Sequence, residues 1–597
     1  MSRPSPLNRP VPPALGRRPL RARAALFAGL SLSALSLSCA GGKDAQNSDA
    51  EANDSGEAPE PRALDRLCPG DAGCEGNEGP LLAGVAKRDL TPCFEGWEDL
   101  EGDGTYRATE DPFLDCGCDR LCPDDPGYAG PDRGEGDGIF QAAWIAGFGQ
   151  GRPAASVHDP IELRAITLQT GETSVAIVTL DLVGWFYDDT LAVRAAVAAA
   201  GADLDLVVVH ATHNHEGPDS MGQWGERFGR RGVDEAWRQD VIAAAASAVV
   251  EAQNSAVEVN LTVGRADSAA PFGAKGTRNT VRDSRDPVVI DEWVGAAQLR
   301  DAGGGTVATL VNWGNHPEVL GGDNTALTAD FVHYLREGVE QGVPGGPSPR
   351  AGQGGQAIFL NASVGGLMTP LGITVTDWDG VDHPGETFEK AEALGHIVAG
   401  LAIDALESAA GPAEAPRLGF RAEVVEIPVE NIGFQALFLA GVFERELVGW
   451  DSSLPISATN IPKIRTEVDL IELGPLRILT VPGELFPELA VGGYDGSRVN
   501  TDEVPFMDPG NEAPPDLAAA PTGPPLKAQL GVEHAWILGL GNDEIGYLVP
   551  PYDYVLAESA PYLSEPPGDH YEETNSLGPA AVPTLLAAAE LVSGEPR

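Results

Sequence analysis

The residues best suited to chemistry lie in His210–Ala211–Thr212–His213–Asn214–His215–Glu216–Gly217–Pro218–Asp219. An apolar run rich in β-branched residues, Leu204 to Val209, comes directly before them and reads as a buried strand. If the chain stays extended past that run, His213 and His215 share one face and His210 takes the other. Two imidazoles on one face suit a metal ion, since neutral imidazole is the commonest metal ligand. Without a metal, the same stretch is a polar strand end with hydrogen-bonded histidines. Gly217–Pro218 then turns the chain away.

Four other unusual segments follow apolar runs in the same way. They are Asn312 to Pro317, containing His316; Asn361 to Pro370; Val481 to Glu484; and Gly541 to Tyr547. Each alone is ordinary, because His-Pro and Pro-Gly-Glu are common turns and a single Tyr is usually core. What sets them apart is their shared position at strand ends.

The elements that would position them alternate. Strands are expected at 174–182, 204–209, 257–263, 306–313, 356–360, 418–429, 467–473, 476–481 and 535–540. Helices are expected at 188–200, 234–253, 330–341, 386–408 and 581–591. Asp188 or Asp189 is the expected cap of the first helix. This order predicts an α/β domain: a largely parallel or mixed β-sheet flanked by helices. In such sheets ligands bind beyond the carboxyl ends of the strands, which places the metal site there.

Together the segments resemble the catalytic domain of the neutral/alkaline, non-lysosomal ceramidases. His213–Asn214–His215–Glu216–Gly217–Pro218 resembles that family's His-Thr-His-Ser-Gly-Pro motif. Gly84 to Pro92 resembles the domain's opening, and His316–Pro317 with Thr328–Ala329–Asp330 its second histidine segment. Val481–Pro482–Gly483–Glu484 is similar to its Pro-Gly-Glu segment. Asn542 and Tyr547 match its Asn-x-Tyr-x-x-Tyr segment, with Glu544 where the middle Tyr would stand. The resemblance implies a zinc-dependent amidohydrolase acting on ceramide or another N-acyl lipid, with a zinc-bound water as nucleophile. His213, His316, Glu484 and Tyr547 would be the zinc ligands, and His215 would face the substrate or the water. Where the family carries Gly-Asp-Val-Ser-Pro-Asn, this chain has Gly365 to Pro370. Thr369 is the candidate for the missing hydroxyl, and Ser363 a poorer one. A C-terminal immunoglobulin-like domain is expected to be absent. The other readings are a metal-dependent hydrolase of esters, phosphoesters or peptides, and a surface binding protein whose metal is structural.

Composition sets the setting. An apolar fraction of 42% permits a substantial core. A net charge of −50 argues against nucleic-acid binding, which needs basic patches. Residues 1–39 read as a signal peptide, with arginines up to Arg23, an apolar stretch to Leu37, and Cys39 placed as in a bacterial lipoprotein signal. Residues 40–61 read as a flexible acidic tether, 62–83 as a cysteine-containing lead-in, and 84–597 as the catalytic domain. The expected location is the cell envelope, through a lipid on Cys39, with plain secretion as the alternative. Cys68, Cys74, Cys93, Cys116, Cys118 and Cys122 are even in number and clustered, which predicts three disulfides of unassigned pairing in an oxidising compartment. Asp99, Glu101, Asp103 and Glu110 follow calcium-loop spacing, although Arg107 and the flanking prolines suit a solvated acidic loop better. Export makes a direct prediction. Mass spectrometry of the mature protein should find lipidated Cys39 as the first residue, whereas a mature chain starting elsewhere excludes the anchor and leaves secretion.

Overall fold

The computed structural model describes residues 77 and 79–594, except 103, 347, 414, 415 and 569. The signal peptide, the tether, Cys39, Cys68, Cys74, Asp103 and nearly all of the lead-in up to residue 78 therefore lie outside the described residues.

Two sheets organise the chain. The larger has eight strands: β1 (Leu81–Asp89), β2 (Glu162–Thr170), β3 (Thr173–Leu180), β4 (Leu206–Ala211), β5 (Val257–Asp267), β6 (Trp293–Asp301), β7 (Thr306–Trp313) and β8 (Gln356–Asn361). Their spatial order is β8-β7-β6-β5-β1-β2-β3-β4. The smaller sheet, in the order β9-β10-β11-β12, comprises β9 (Leu418–Pro428), β10 (Lys463–Leu473), β11 (Leu476–Val481) and β12 (His534–Gly539). The principal helices are α1 (Tyr187–Ala199), α2 (Glu235–Asn254), α3 (Phe331–Gln341), α4 (Phe388–Glu407), α5 (Ile432–Leu439) and α6 (Ala581–Ser593).

The strands alternate in sequence because each is sandwiched. In β3, Val175 and Ile177 face the second sheet while Ala176 and Val178 face α1 and α2. In β8, Ile358 and Leu360 face the second sheet, while Ala357 and Phe359 meet α3 and α4. In β11, Leu476 and Ile478 point toward the eight-stranded sheet, and Leu479 and Val481 share a cluster with α6. The result is four layers: helices, eight strands, four strands, helix. Close approach is built in at Gly84, where an added Cβ would lie 1.9 Å from the Ala252 carbonyl near the end of α2.

The fold is α/β with a mixed sheet. Most neighbouring strands run antiparallel, and the parallel pairs are β3–β4, β7–β8 and β11–β12. Short hairpins enforce the antiparallel pairs β2–β3, β6–β7 and β10–β11, as at Gly171–Glu172 between β2 and β3. The helices α1 and α3 provide the crossovers that the first two parallel pairs require. Strands β1, β2 and β6 had no counterpart in the sequence-based expectation. Charged residues break their apolar pattern, and one of these, Arg164 in β2, is buried and held by Glu162 and Glu340. The cap of α1 also differs. Phe186 occupies the N-cap without a side-chain bond, and Asp188 and Asp189 lie inside the first turn, where Asp189 pairs with Arg238.

All five candidate segments follow strands of the three parallel pairs, and buried polar side chains tie their ends together. The Asn361 side-chain amide donates to the carbonyls of Thr212 (2.8 Å) and Asn315 (2.9 Å), and its oxygen accepts the Asn315 amide. His210 lies within β4, not beyond it. Its Nδ1 donates to the Gly539 carbonyl at 2.8 Å, and its Nε2 accepts the Asn361 amide at 3.1 Å. Burial pushes its pKa down to about 3, which keeps it the neutral acceptor this pattern needs. Asn312 donates to Leu360 and Ile537, and Asn542 accepts from the Val209 amide. These bonds span both sheets.

Two disulfides, Cys93–Cys118 and Cys116–Cys122, close the irregular stretch between β1 and β2. They fit an oxidising compartment. In the acidic loop the Asp99 carboxylate accepts the Gly102 and Gly104 amides, and Arg107 lies 3.7 Å from Glu101 and 3.8 Å from Glu110. A cation of the chain's own thus balances those exposed carboxylates. Among the described residues no helix is long and apolar enough to cross a membrane. The belt at the strand ends makes a prediction. Asn361→Leu leaves the Thr212 and Asn315 carbonyls without these donors, at about 1–3 kcal/mol each. Its denaturant midpoint should fall well below that of an exposed control such as Asn254→Leu.

Candidate metal centre

Strand β4 ends at Ala211, and the backbone does not stay extended. His213 adopts a left-handed conformation (φ 66°), so the expected extended-strand geometry is replaced by a tight turn. The turn still brings both imidazoles together, with Nε2 of His213 and Nε2 of His215 3.3 Å apart. Asn214 locks the turn by donating to the carbonyls of Asp181 and Thr328. The His215 amide donates to the Pro317 carbonyl, which fastens this loop to the one after β7. A Cβ at Gly147 would lie 2.3 Å from the His215 ring, so only glycine leaves room for it there.

His316 completes a cluster. One ligand nitrogen from each of His213, His215 and His316 lies within 4.8 Å of the others, and all three residues are buried. The far-side nitrogens of two of the rings are hydrogen-bonded, and the third lies near a carboxylate. His213 Nδ1 donates to the Val183 carbonyl and His316 Nδ1 to the Met368 carbonyl, each at 2.7 Å. His215 Nδ1 lies 3.2 Å from Glu318 Oε2. The bonds at His213 and His316 fix the tautomers in which the inward nitrogens are left for a metal, as metal-binding histidines require. The donor set thus fits a metal ion.

Glu484 borders the cluster. Its Oε2 is 3.1 Å from His316 Nε2 and 3.4 Å from His213 Nε2. Burial works against charge at His213, yet Glu484 prevails and raises its pKa to about 9. Burial would raise Glu484 as well, but His213 holds it down at about 2. Burial pulls His215 down to about 4. Glu484 pairs across a short parallel bridge with Tyr547, so the Pro-Gly-Glu and tyrosine segments run side by side.

A cavity of about 110 Å³ opens beside the cluster. Its wall includes His213, His215, Glu484 and Tyr547, with Phe148, Phe186, Trp224, Phe434, Phe438 and Phe443 forming most of the apolar surface. Phe434 and Phe438 come from α5, a helix with no fully buried residue and with Leu439 59% exposed.

Of the residues named from sequence, the structure gathers His213, His215, His316 and Glu484, and it puts Tyr547 in the adjoining wall. Thr369 does not reach the cavity. It is fully buried, and its hydroxyl donates to Glu318, so it meets His215 only through that carboxylate. Ser363 is buried outside the cavity wall. Glu318 was missed, although its place two residues after His316 was a signal. Arg152 was missed too. It donates to the His215 carbonyl at 2.6 Å and lies 3.2 Å from Glu216.

No protein-family model matches the chain, and no curated protein matches its sequence. Solved structures do match its fold. The neutral ceramidase from Pseudomonas aeruginosa superposes with a TM-score of 0.53 at 14% identity, covering 86% of this chain and 75% of that one. A ceramidase complexed with C2 gives 0.52 at 13% identity, covering 87% and 76%. The chain therefore has a neutral ceramidase-like fold.

The buried contacts predict a graded response. Elemental analysis should find His213→Ala and His316→Ala stripped of metal. Glu318→Ala should bind it only modestly more weakly, since Glu318 touches His215, which stands beside the expected ligands rather than among them. Thr369→Val should weaken it less. Equal metal content in all four variants would exclude this centre.

Proposed function

We propose that the chain is an exported, zinc-dependent amidohydrolase that cleaves the amide bond of N-acyl lipids. The observation that carries this reading is a cluster of three oriented imidazoles and a carboxylate at the wall of an aromatic-lined cavity. Such a wall suits a hydrocarbon chain, and the ceramidase-like fold points the same way.

His213, His316, Glu484 and Tyr547 would hold the ion. Bound there, zinc supplies a Lewis acid that polarises the amide carbonyl and lowers the pKa of water to roughly 7. The chain supplies the rest. The aromatic wall excludes bulk water and seats the acyl chain. Glu318 and Arg152 keep the His215 ring in place, one at its Nδ1 and the other at its backbone carbonyl. Its Nε2 is free of that restraint and can take a proton from the attacking water and return it to the leaving nitrogen. Thr369 acts one step back, as the residue that orients Glu318. Lipid on Cys39 would keep the enzyme at the envelope surface, within reach of membrane lipids.

Leu367 and Met368 stand where the family carries an acid and its neighbour, so no carboxylate is supplied from that loop. Loss of one group that stabilises the transition state typically costs about 10² to 10³ in rate. Ceramide in detergent micelles should therefore be cleaved, but slowly beside a ceramidase that carries the family loop. Chelation should abolish the activity and added zinc restore it. Zinc-loaded protein that hydrolyses esters or phosphoesters but no N-acyl amide would overturn the proposal.

A further inference from the structure

A second cavity, of about 220 Å³, lies between the end of β5, the start of β6 and the edge strand β12, and it shares no lining residue with the one beside the metal centre. Its wall reverses the charge balance of the chain. The sequence holds 39 basic and 89 acidic residues, yet this wall carries Arg265, Arg498 and Lys527 against one carboxylate, Glu533. The Glu533 side chain is 69% exposed and lies 3.4 Å from Arg265. Arg498 donates to Glu292 and Lys527 to Asp291, two acids outside the wall that steady the cations from behind. An ammonium has three N–H donors and a guanidinium five, so one bond to an acid leaves most of them for a ligand. His534 also lines the cavity, and its Nδ1 is buried without a hydrogen-bond partner. Much of the remaining wall is apolar, with Val491, Trp536 and Trp293, the last held under the Arg265 guanidinium at 4.3 Å. Trp536 is seated against Gly295, where an added Cβ would lie 2.4 Å from its Nε1.

We propose that this cavity is a binding site for an organic anion, a carboxylate with an apolar body. The surplus of N–H donors calls for acceptor oxygens. A carboxylate offers two, and its charge-assisted bonds to guanidinium and ammonium are stronger than those of a neutral acceptor. The indole rings and Val491 call for hydrocarbon beyond that head group. A cationic ligand would meet Arg498 and Lys527 as a like charge and leave their N–H groups unmatched. The surplus of acids on the rest of the chain does not cancel the attraction, because exposed charges more than about 10 Å away are largely screened at ordinary salt. The site stands apart from the hydrolase reading, since it needs neither the metal nor the residues that would hold it.

The test uses metal-stripped protein, so that no carboxylate is captured by zinc, and three probes: octanoate, octylammonium and inorganic phosphate. Calorimetry should show octanoate binding more tightly than either of the others. Arg498→Gln and Lys527→Gln should each weaken octanoate roughly 10- to 100-fold, the range for a hydrogen bond to a charged group. Reductive methylation mapped by mass spectrometry locates the site without any variant, and it decides the matter if a glutamine variant fails to fold. Octanoate should slow the modification of Lys527 and leave that of the exposed Lys87 unchanged. Octanoate binding that persists undiminished in both variants overturns the proposal, as does a Lys527 that stays equally reactive with octanoate bound. Octylammonium that binds as tightly as octanoate overturns it too. Phosphate that protects Lys527 as well as octanoate does overturns the organic class and makes this a site for free inorganic anions.

Discussion

The structure depends on how the Asn361 amide is satisfied. One side chain bonds the loops after β4 and β7, and its backbone amide is received by His210 of β4. His210 in turn holds Gly539 at the end of β12. The histidine loops are irregular backbone in a dry interior, where every unpaired carbonyl is expensive. A single planar amide with donors and an acceptor resolves several of them at once. The imidazoles of the cluster converge because the loops carrying them cannot drift apart.

The electrostatics of the cluster follow from the same enclosure. Buried imidazoles and carboxylates would each resist charge alone. Beside one another, Glu484 and His213 stabilise each other's charged forms, and the neighbouring imidazoles hold the Glu318 carboxyl down at about 2 against its burial. A metal ion would take over the positive role between the same groups. Outside this knot the cavity wall is largely apolar and aromatic.

Much of this was legible in the sequence. The periodic apolar runs gave β7 and β11 at their observed limits and most other long elements within a few residues. The histidine, glutamate and tyrosine segments were recognisable because each follows such a run. Three strands were not visible, since charged residues interrupt their apolar runs, and Arg164 of β2 is buried by pairing, which composition does not reveal. The left-handed turn at His213 was hidden for a different reason: a non-glycine residue there is held by long-range bonds to Asp181, Thr328 and Pro317. Thr369 was read as facing the substrate because sequence order cannot tell which way a side chain turns, and Glu318 intercepts it.

The long-range assembly of the cluster would also set when a metal could be acquired. His316 and the carboxylate beside it are separated by 168 residues, and the clamp between Val209 and Asn542 closes 333. Contacts so distant in sequence form late, after much loop-closure entropy has been lost. A nascent or partly threaded chain therefore presents scattered histidines rather than a chelating pocket. Any ion this cluster holds would be selected only once the last strands dock, from what the surroundings offer at that moment. For an exported chain, metal identity would be read from the compartment where folding ends rather than from the one where synthesis begins.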